Sequence, residues 1–171
     1  LGFGYNNTRR KMSVAEVERS IRDFADAAAR VVETGADGVE ITATKGYLIH
    51  QFLNPGINGR KDEWGGNPDN RFRFLGHVVN AVRDRIGRNF LFGIRLSAAD
   101  LNYRPLPLAL LRWPSPLSSR ERWLGNDEQQ MLDYAQRLRE LSIDYLHVVA
   151  GYGFPNPRDV PGPFPFDEIK M

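Results

Sequence analysis

Cysteine is absent from the 171 residues, which removes disulfides, thiolate nucleophiles and cysteine-ligated iron or zinc from this stretch. Histidine is scarce, with 3 in the chain and none at ligand spacing from another, so no metal site is expected. No apolar run approaches the roughly 20 residues that cross a bilayer. The opening residues LGFGYNNTRRK also lack the apolar segment of a secretory signal. A cytoplasmic protein without a membrane partner is expected. No G-x-G-x-x-G follows a predicted strand, and with it goes the usual dinucleotide signature of an open doubly wound sheet. Charge of one sign is not in excess: 23 Lys and Arg against 21 Asp and Glu give +2. The charges are interspersed along predicted helices, without a basic stripe interleaved with aromatics, so no nucleic-acid partner is expected. An initiator Met is missing too. The chain opens at Leu1 and stops at Met171 in what reads as the first turn of a helix, and both ends are expected to be cuts in a longer protein.

What is present is ordinary soluble composition, 42% hydrophobic and 26% charged, organised as a repeat of helix then strand. From Ser13 to Glu33 the residues Val17, Ile21, Phe24, Ala28 and Val31 lay one apolar stripe along a helix. Ser13 and Glu16 form a capping box, and Gly35 stands where the helix would stop. A short strand follows at Asp37 to Ile41. The second unit has Asn67 as cap, Pro68 in the first turn, Phe74, Leu75, Val78, Val82 and Ile86 at helical spacing, Gly87 as stop, and a strand from Phe90 to Leu96. The third opens at Asn126 with Gln129 three residues on, runs through Leu141 with Leu132, Ala135 and Leu138 inward, and ends in a strand from Tyr145 to Val149.

Short, almost wholly apolar strands alternating with helices imply parallel strands buried on both sides, an α/β fold. Three strands cannot close a barrel that takes about 250 residues. The expectation is therefore a partial (β/α)8 barrel, a single incomplete domain over 1–171. The Pro- and Trp-rich connection from Ala98 to Gly125 reads as an inserted loop on the substrate side.

Barrel enzymes carry reactive side chains at strand C-termini and in the loops beyond them. Those positions hold Thr42, Thr44, Lys45 and Tyr47 after the first strand, Arg95 and Ser97 at the end of the second, and Gly151 to Phe154 after the third. Tyr47, protonated at neutral pH, can give a proton to a carbanion forming in a closed site, or it is a packed tyrosine with a bonded hydroxyl. Arg95 ends an apolar strand and needs an anionic or electron-rich partner, either a ligand or Asp100 or Glu40. Lys45 is a solvated loop lysine or a cation that polarises a carbonyl. His50, in the apolar L-I-H-Q-F-L turn, reads as a satisfied buried histidine. The segment from Asn54 to Arg71 reads as a structured loop held by charge pairs and a buried Trp64.

The run D-G-V-E-I-x-x-x-x-G-Y-L-x-x-Q-F-L-x-P-x-x-N-x-R-x-D-x-x-G-G-x-x-x-N-R-x-R-F, from Asp37 to Phe74, and G-I-R-L-S at Gly93 to Ser97, resemble the Old Yellow Enzyme or NADH:flavin oxidoreductase family. The similarity extends from about Ser13 to the end, the Ala98 to Gly125 loop excepted. The resemblance implies an FMN-binding barrel that takes hydride from NADH or NADPH and delivers it to an activated alkene or quinone-like small molecule. It implies Tyr47 as the catalytic proton donor and Arg95 as the contact to the flavin ring. Family members that reduce enones carry His, then His or Asn, where Thr42 and Lys45 stand, and use them to bond the substrate carbonyl. Thr42 and Lys45 are accordingly the expected substrate-binding pair, with Lys45 as oxyanion partner. The sequence is also similar to 2,4-dienoyl-CoA reductases, which lack that His pair and keep the tyrosine. Those enzymes place a histidine where the nearest match here is Pro155. Phosphate in such barrels is held after strands seven and eight, so these residues alone are expected to bind FMN poorly. The alternative is a non-catalytic truncated remnant or interaction module of the same fold.

Overall fold

The computed structural model describes residues 10–100 and 125–149. Helix α1 (Val14–Glu33) begins on the expected capping box: the Ser13 hydroxyl accepts from the Glu16 N–H at 3.3 Å, and the Glu16 carboxylate accepts from the Ser13 N–H at 2.8 Å. The chain leaves the helix through Gly35 at φ +79°, where a side chain would be strained. Strand β1 (Gly38–Ala43) follows, then a short helix α2 (Leu48–Leu53). Helix α3 (Pro68–Ile86) starts on Asn67, whose side chain accepts from the Asn70 N–H at 2.9 Å, and stops at Gly87. Strand β2 (Leu91–Ser97), helix α4 (Glu128–Glu140) and strand β3 (Tyr145–Val149) complete the described residues.

The strands form a parallel sheet in the order β1-β2-β3. Successive side chains on a strand point to opposite faces. Ile41, Ala43, Phe92, Ile94 and Leu96 therefore face one way, into a core shared with α1, α3 and α4. Phe74 of α3 is fully buried there, stacked on Phe52 at 4.2 Å and edge-on to Phe24 and Trp64. Removing such a ring typically costs about 3–5 kcal/mol. The three strands and their parallel register agree with the expected helix–strand repeat. Strand β3 has the expected bounds, β2 is shifted one residue on from Phe90–Leu96, and β1 runs to Ala43, beyond the expected Ile41, because Thr42 and Ala43 pair with Arg95 and Leu96.

The Asn54–Arg71 loop is held as expected, by charge and by one indole. Arg60 grips Asp62 through Nε and Nη2 at 2.9 and 2.6 Å, and its Nη1 donates to the Met12 carbonyl at 2.6 Å. Arg60 first, then burial and the Trp64 N–H, set the Asp62 carboxyl, with the net shift below its ordinary value. Asn58 donates to the carbonyls of Phe52 and Trp64, and Trp64 itself is buried. Gly65 has no alternative, since a Cβ there would stand 2.6 Å from the Arg60 Cβ.

Two expectations need correction. The cap of α4 is Asp127, which accepts from the Gln130 N–H at 2.8 Å, while Asn126 is buried against Asp100 and Leu53. The helix is consequently rotated: Met131, Tyr134 and Leu138 face inward, Leu132 is half exposed, and Ala135 only borders the core. The L-I-H-Q-F-L stretch is a helix, not a turn, with Ile49, His50, Phe52 and Leu53 buried. Most of the expected Ala98–Gly125 insertion, with Gly151 to Phe154 and Pro155, lies outside the described residues.

Candidate active site

The face of the sheet turned away from the helices is polar toward the strands' carboxyl ends. Register sets Thr42, Arg95 and His147 in one row across β1, β2 and β3, and Glu40, Gly93 and Tyr145 in the row before it. The Tyr145 ring lies over Gly93, where any Cβ would run into it. Glu40 holds His147 at 3.1 Å. Partial burial first, and the Glu40 carboxylate second, raise the Tyr145 phenol above its ordinary value. Just after β1 and at the last residue of β2, the Thr44 and Ser97 hydroxyls bond one another and tie the ends of the two strands together.

The chain then turns sharply through Lys45 at φ +60° and Gly46 at φ +84°. Lys45 is the only non-glycine residue with positive φ among the described residues, a conformation that costs about 1 kcal/mol or more and persists when the surroundings enforce it. The turn ends at Tyr47, which caps α2 with its backbone and makes no side-chain cap bond. Its side chain is 52% exposed. Tyr47 and Thr42 share a cleft of about 570 Å³ between α1, β1 and the start of α2; Lys45 and Arg95 do not line it. Tyr47 and Arg95 are nevertheless at the same, carboxyl end of adjacent strands.

Arg95 is half buried, and its Nε is wholly buried without a hydrogen-bond partner. Neither protein carboxylate weighed from the sequence satisfies it with an ion pair: Asp100 is committed to His50, Asn54 and Asn126, and Glu40 to His147. An unmet buried donor is costly, about 1–3 kcal/mol, and a cation in that state fits an electron-rich or anionic ring system laid on this face. Thr42, its neighbour in the row, adds a hydroxyl.

Asp100 is the partner of His50, a pairing that no pattern in the sequence marks. His50 is fully buried, as expected, with Nε2 2.7 Å from Asp100 Oδ1 and Nδ1 3.0 Å from the Gly46 N–H. The two residues are 50 positions apart, so no local spacing could have paired them.

Comparison with known proteins sharpens what this rim belongs to. The sequence model of the NADH:flavin oxidoreductase / NADH oxidase family matches residues 3–105, more than half of the chain. The chain belongs to that family. An NADPH dehydrogenase of Geobacillus thermodenitrificans is similar to the chain, at 36% identity over 95% of the chain and 42% of its own length. The Old Yellow Enzyme homologue from Zymomonas mobilis superposes with a TM-score of 0.66 at 26% identity, over 98% of this chain and 44% of that one. A 2-naphthoyl-CoA reductase, solved with 2-naphthoyl-CoA, gives 0.69 at 29% identity over 84% of this chain and 19% of its own. The chain thus spans less than half the length of these relatives, and its three parallel strands with their helices correspond to part of their barrels. No helix among the described residues is long and apolar enough to cross a membrane.

Proposed function

We propose that the protein is an FMN-dependent, NADPH-driven reductase of activated alkenes, and that residues 1–171 are part of one FMN-binding barrel. The reading rests on family membership and on one observation above others: the unmet, buried Nε of Arg95, in the row of Thr42 and at the same end of the sheet as Tyr47. Arg95 would hold the flavin ring. When bound, FMN supplies a two-electron carrier that takes hydride from NADPH and passes it to the substrate. The chain's own residues do the rest. Tyr47 gives its phenolic proton to the carbon beside the activating carbonyl, so that hydride and proton together saturate the double bond. Lys45, with Thr42, meets the carbonyl oxygen as negative charge grows on it, the task of a preorganised cation. A thioester is a second substrate class. Thr42 in place of histidine and the likeness to a 2-naphthoyl-CoA reductase favour it.

The test uses the FMN-loaded full-length protein and separates the two half-reactions. NADPH bleaches the flavin in wild type and in Tyr47→Phe alike, while reoxidation by cyclohexenone or an enoyl thioester slows roughly 100-fold or more in the variant. Lys45→Ala slows the same step about tenfold. A protein that NADPH does not bleach, or a Tyr47→Phe variant reoxidised at the wild-type rate by both alkenes, contradicts the proposal.

A further inference from the structure

We propose that His50 and Asp100 are a positioning pair that sets the backbone of the Lys45–Gly46–Tyr47 turn and so aims the Tyr47 phenol. The proposal rests on reading Tyr47 as the proton donor. Its geometry is independent of that reading. A backbone N–H can only donate, so the Gly46 amide at 3.0 Å requires His50 Nδ1 to be bare. The ring proton then sits on Nε2 and is donated to Asp100 Oδ1 at 2.7 Å.

Asp100 is itself fixed. Its Oδ2 accepts from Asn54 Nδ2 at 2.8 Å and from the N–H and Nδ2 of Asn126 at 2.9 and 3.0 Å, and its own N–H donates to the Asn126 carbonyl at 2.9 Å. All four residues are buried. On the other side of Gly46, the carbonyl accepts from Gln51 Nε2 at 2.8 Å. Both peptide groups of Gly46 are therefore clamped by side chains of α2, in a turn whose left-handed backbone needs outside support.

A histidine that merely filled the core could be replaced by an apolar side chain of similar volume, because a buried polar network adds little stability over good packing. Here Nδ1 of the ring is aimed at one amide, that of the residue directly before the tyrosine. Asp100 lies beyond the carboxyl end of β2, so the pair also ties the turn after β1 to the segment after β2.

The experiment compares His50→Leu, His50→Asn, Tyr47→Phe and the Tyr47→Phe/His50→Leu double variant in the FMN-loaded full-length protein. His50→Leu is expected to speed amide hydrogen exchange at Gly46 at least about tenfold and to slow reoxidation by cyclohexenone roughly 10- to 100-fold, with bleaching by NADPH within about twofold of wild type. His50→Asn, which returns a carbonyl oxygen to the place of Nδ1, recovers most of both losses. In the Tyr47→Phe background His50→Leu adds no further slowing, since the group it aims is gone. If His50→Leu does not fold, Asp100→Asn, which frees the ring to take its other tautomer, is expected to show the same faster exchange and slower reoxidation. Wild-type exchange at Gly46 in the folded variant, or an undiminished loss in the Tyr47→Phe background, overturns the pair. Failure of the Tyr47 reading itself shows separately, as a Tyr47→Phe variant with wild-type reoxidation.

Discussion

Two arginines, one at each end of the same sheet, are handled in opposite ways. At the strands' amino ends Arg83 is buried and fully used. Its Nε donates to the Ser142 carbonyl at 2.6 Å, Nη1 to the carbonyls of Gly87 and Phe90 at 2.8 and 3.0 Å, and Nη2 to Asp144 at 2.8 Å. The guanidinium also sits 5.1 Å above the Phe92 ring. At the carboxyl ends Arg95 buries an Nε that nothing bonds, beside a strained turn and a half-exposed tyrosine. Barrels concentrate stability at the first end and chemistry at the second. Other buried donors, Arg73 Nε and Trp64 Nε1, also go without a partner away from the rim. The contrast therefore teaches that an unsatisfied group counts as evidence for a ligand through its place, here the carboxyl ends of the strands in the row of Thr42.

The largest effect should come from breaking the satisfied end. Arg83→Met strips three backbone carbonyls and a carboxylate of their donor, and the expected loss is about 3 kcal/mol. That is a large part of a domain's usual 5–15 kcal/mol, and it should lower the urea midpoint by roughly 1 M or more. A midpoint unchanged by Arg83→Met would remove the structural half of the contrast.

A smaller effect concerns acid. Arg83 first, and the Phe92 N–H at 2.7 Å second, hold the Asp144 carboxyl below its ordinary value. A depressed folded-state value means the stabilisation is complete above the unfolded carboxylate range, about 3.9, and is lost as pH falls through the lower folded value. Asp144→Asn should therefore melt below wild type at neutral pH, with the gap closing below about pH 4. Asp144 is partly exposed, so solvent screening keeps the gap modest. A gap that widened on acidification would reverse the sign of this account.

Much of this architecture was legible because it is local. Ser13 with Glu16, Asn67 with Pro68, and the stops at Gly35 and Gly87 are short-range chemistry, and each appears where the sequence puts it. Helix α2 was missed because six residues are too few for a 3.6-residue period to declare itself. The α4 cap was misplaced by one because Asn126 and Asp127 each have a glutamine three residues on. Only the fold decides between them, by occupying Asn126 with Asp100 and Leu53. At the candidate site, strand-end position and resemblance single out Tyr47, Lys45, Thr42 and Arg95, and the structure sets them at the carboxyl ends of β1 and β2, the roles being those proposed. The His50–Asp100 pair was not, since it joins segments that only the sheet brings together.

The smallest effect on stability is expected where the sheet leaves its cation unmet. Arg95→Met removes a buried donor that has no partner and replaces it with a side chain that packs, so the apoprotein should change by no more than about 0.5 kcal/mol in either direction. If Arg95 meets the flavin as proposed, the same substitution weakens FMN retention in the full-length protein about tenfold, read as flavin fluorescence released on dilution. The two measurements together are decisive for the comparison. A variant that unfolds as readily as Arg83→Met places both arginines in the frame of the fold, whereas one that keeps its stability and loses its flavin assigns Arg95 to the flavin.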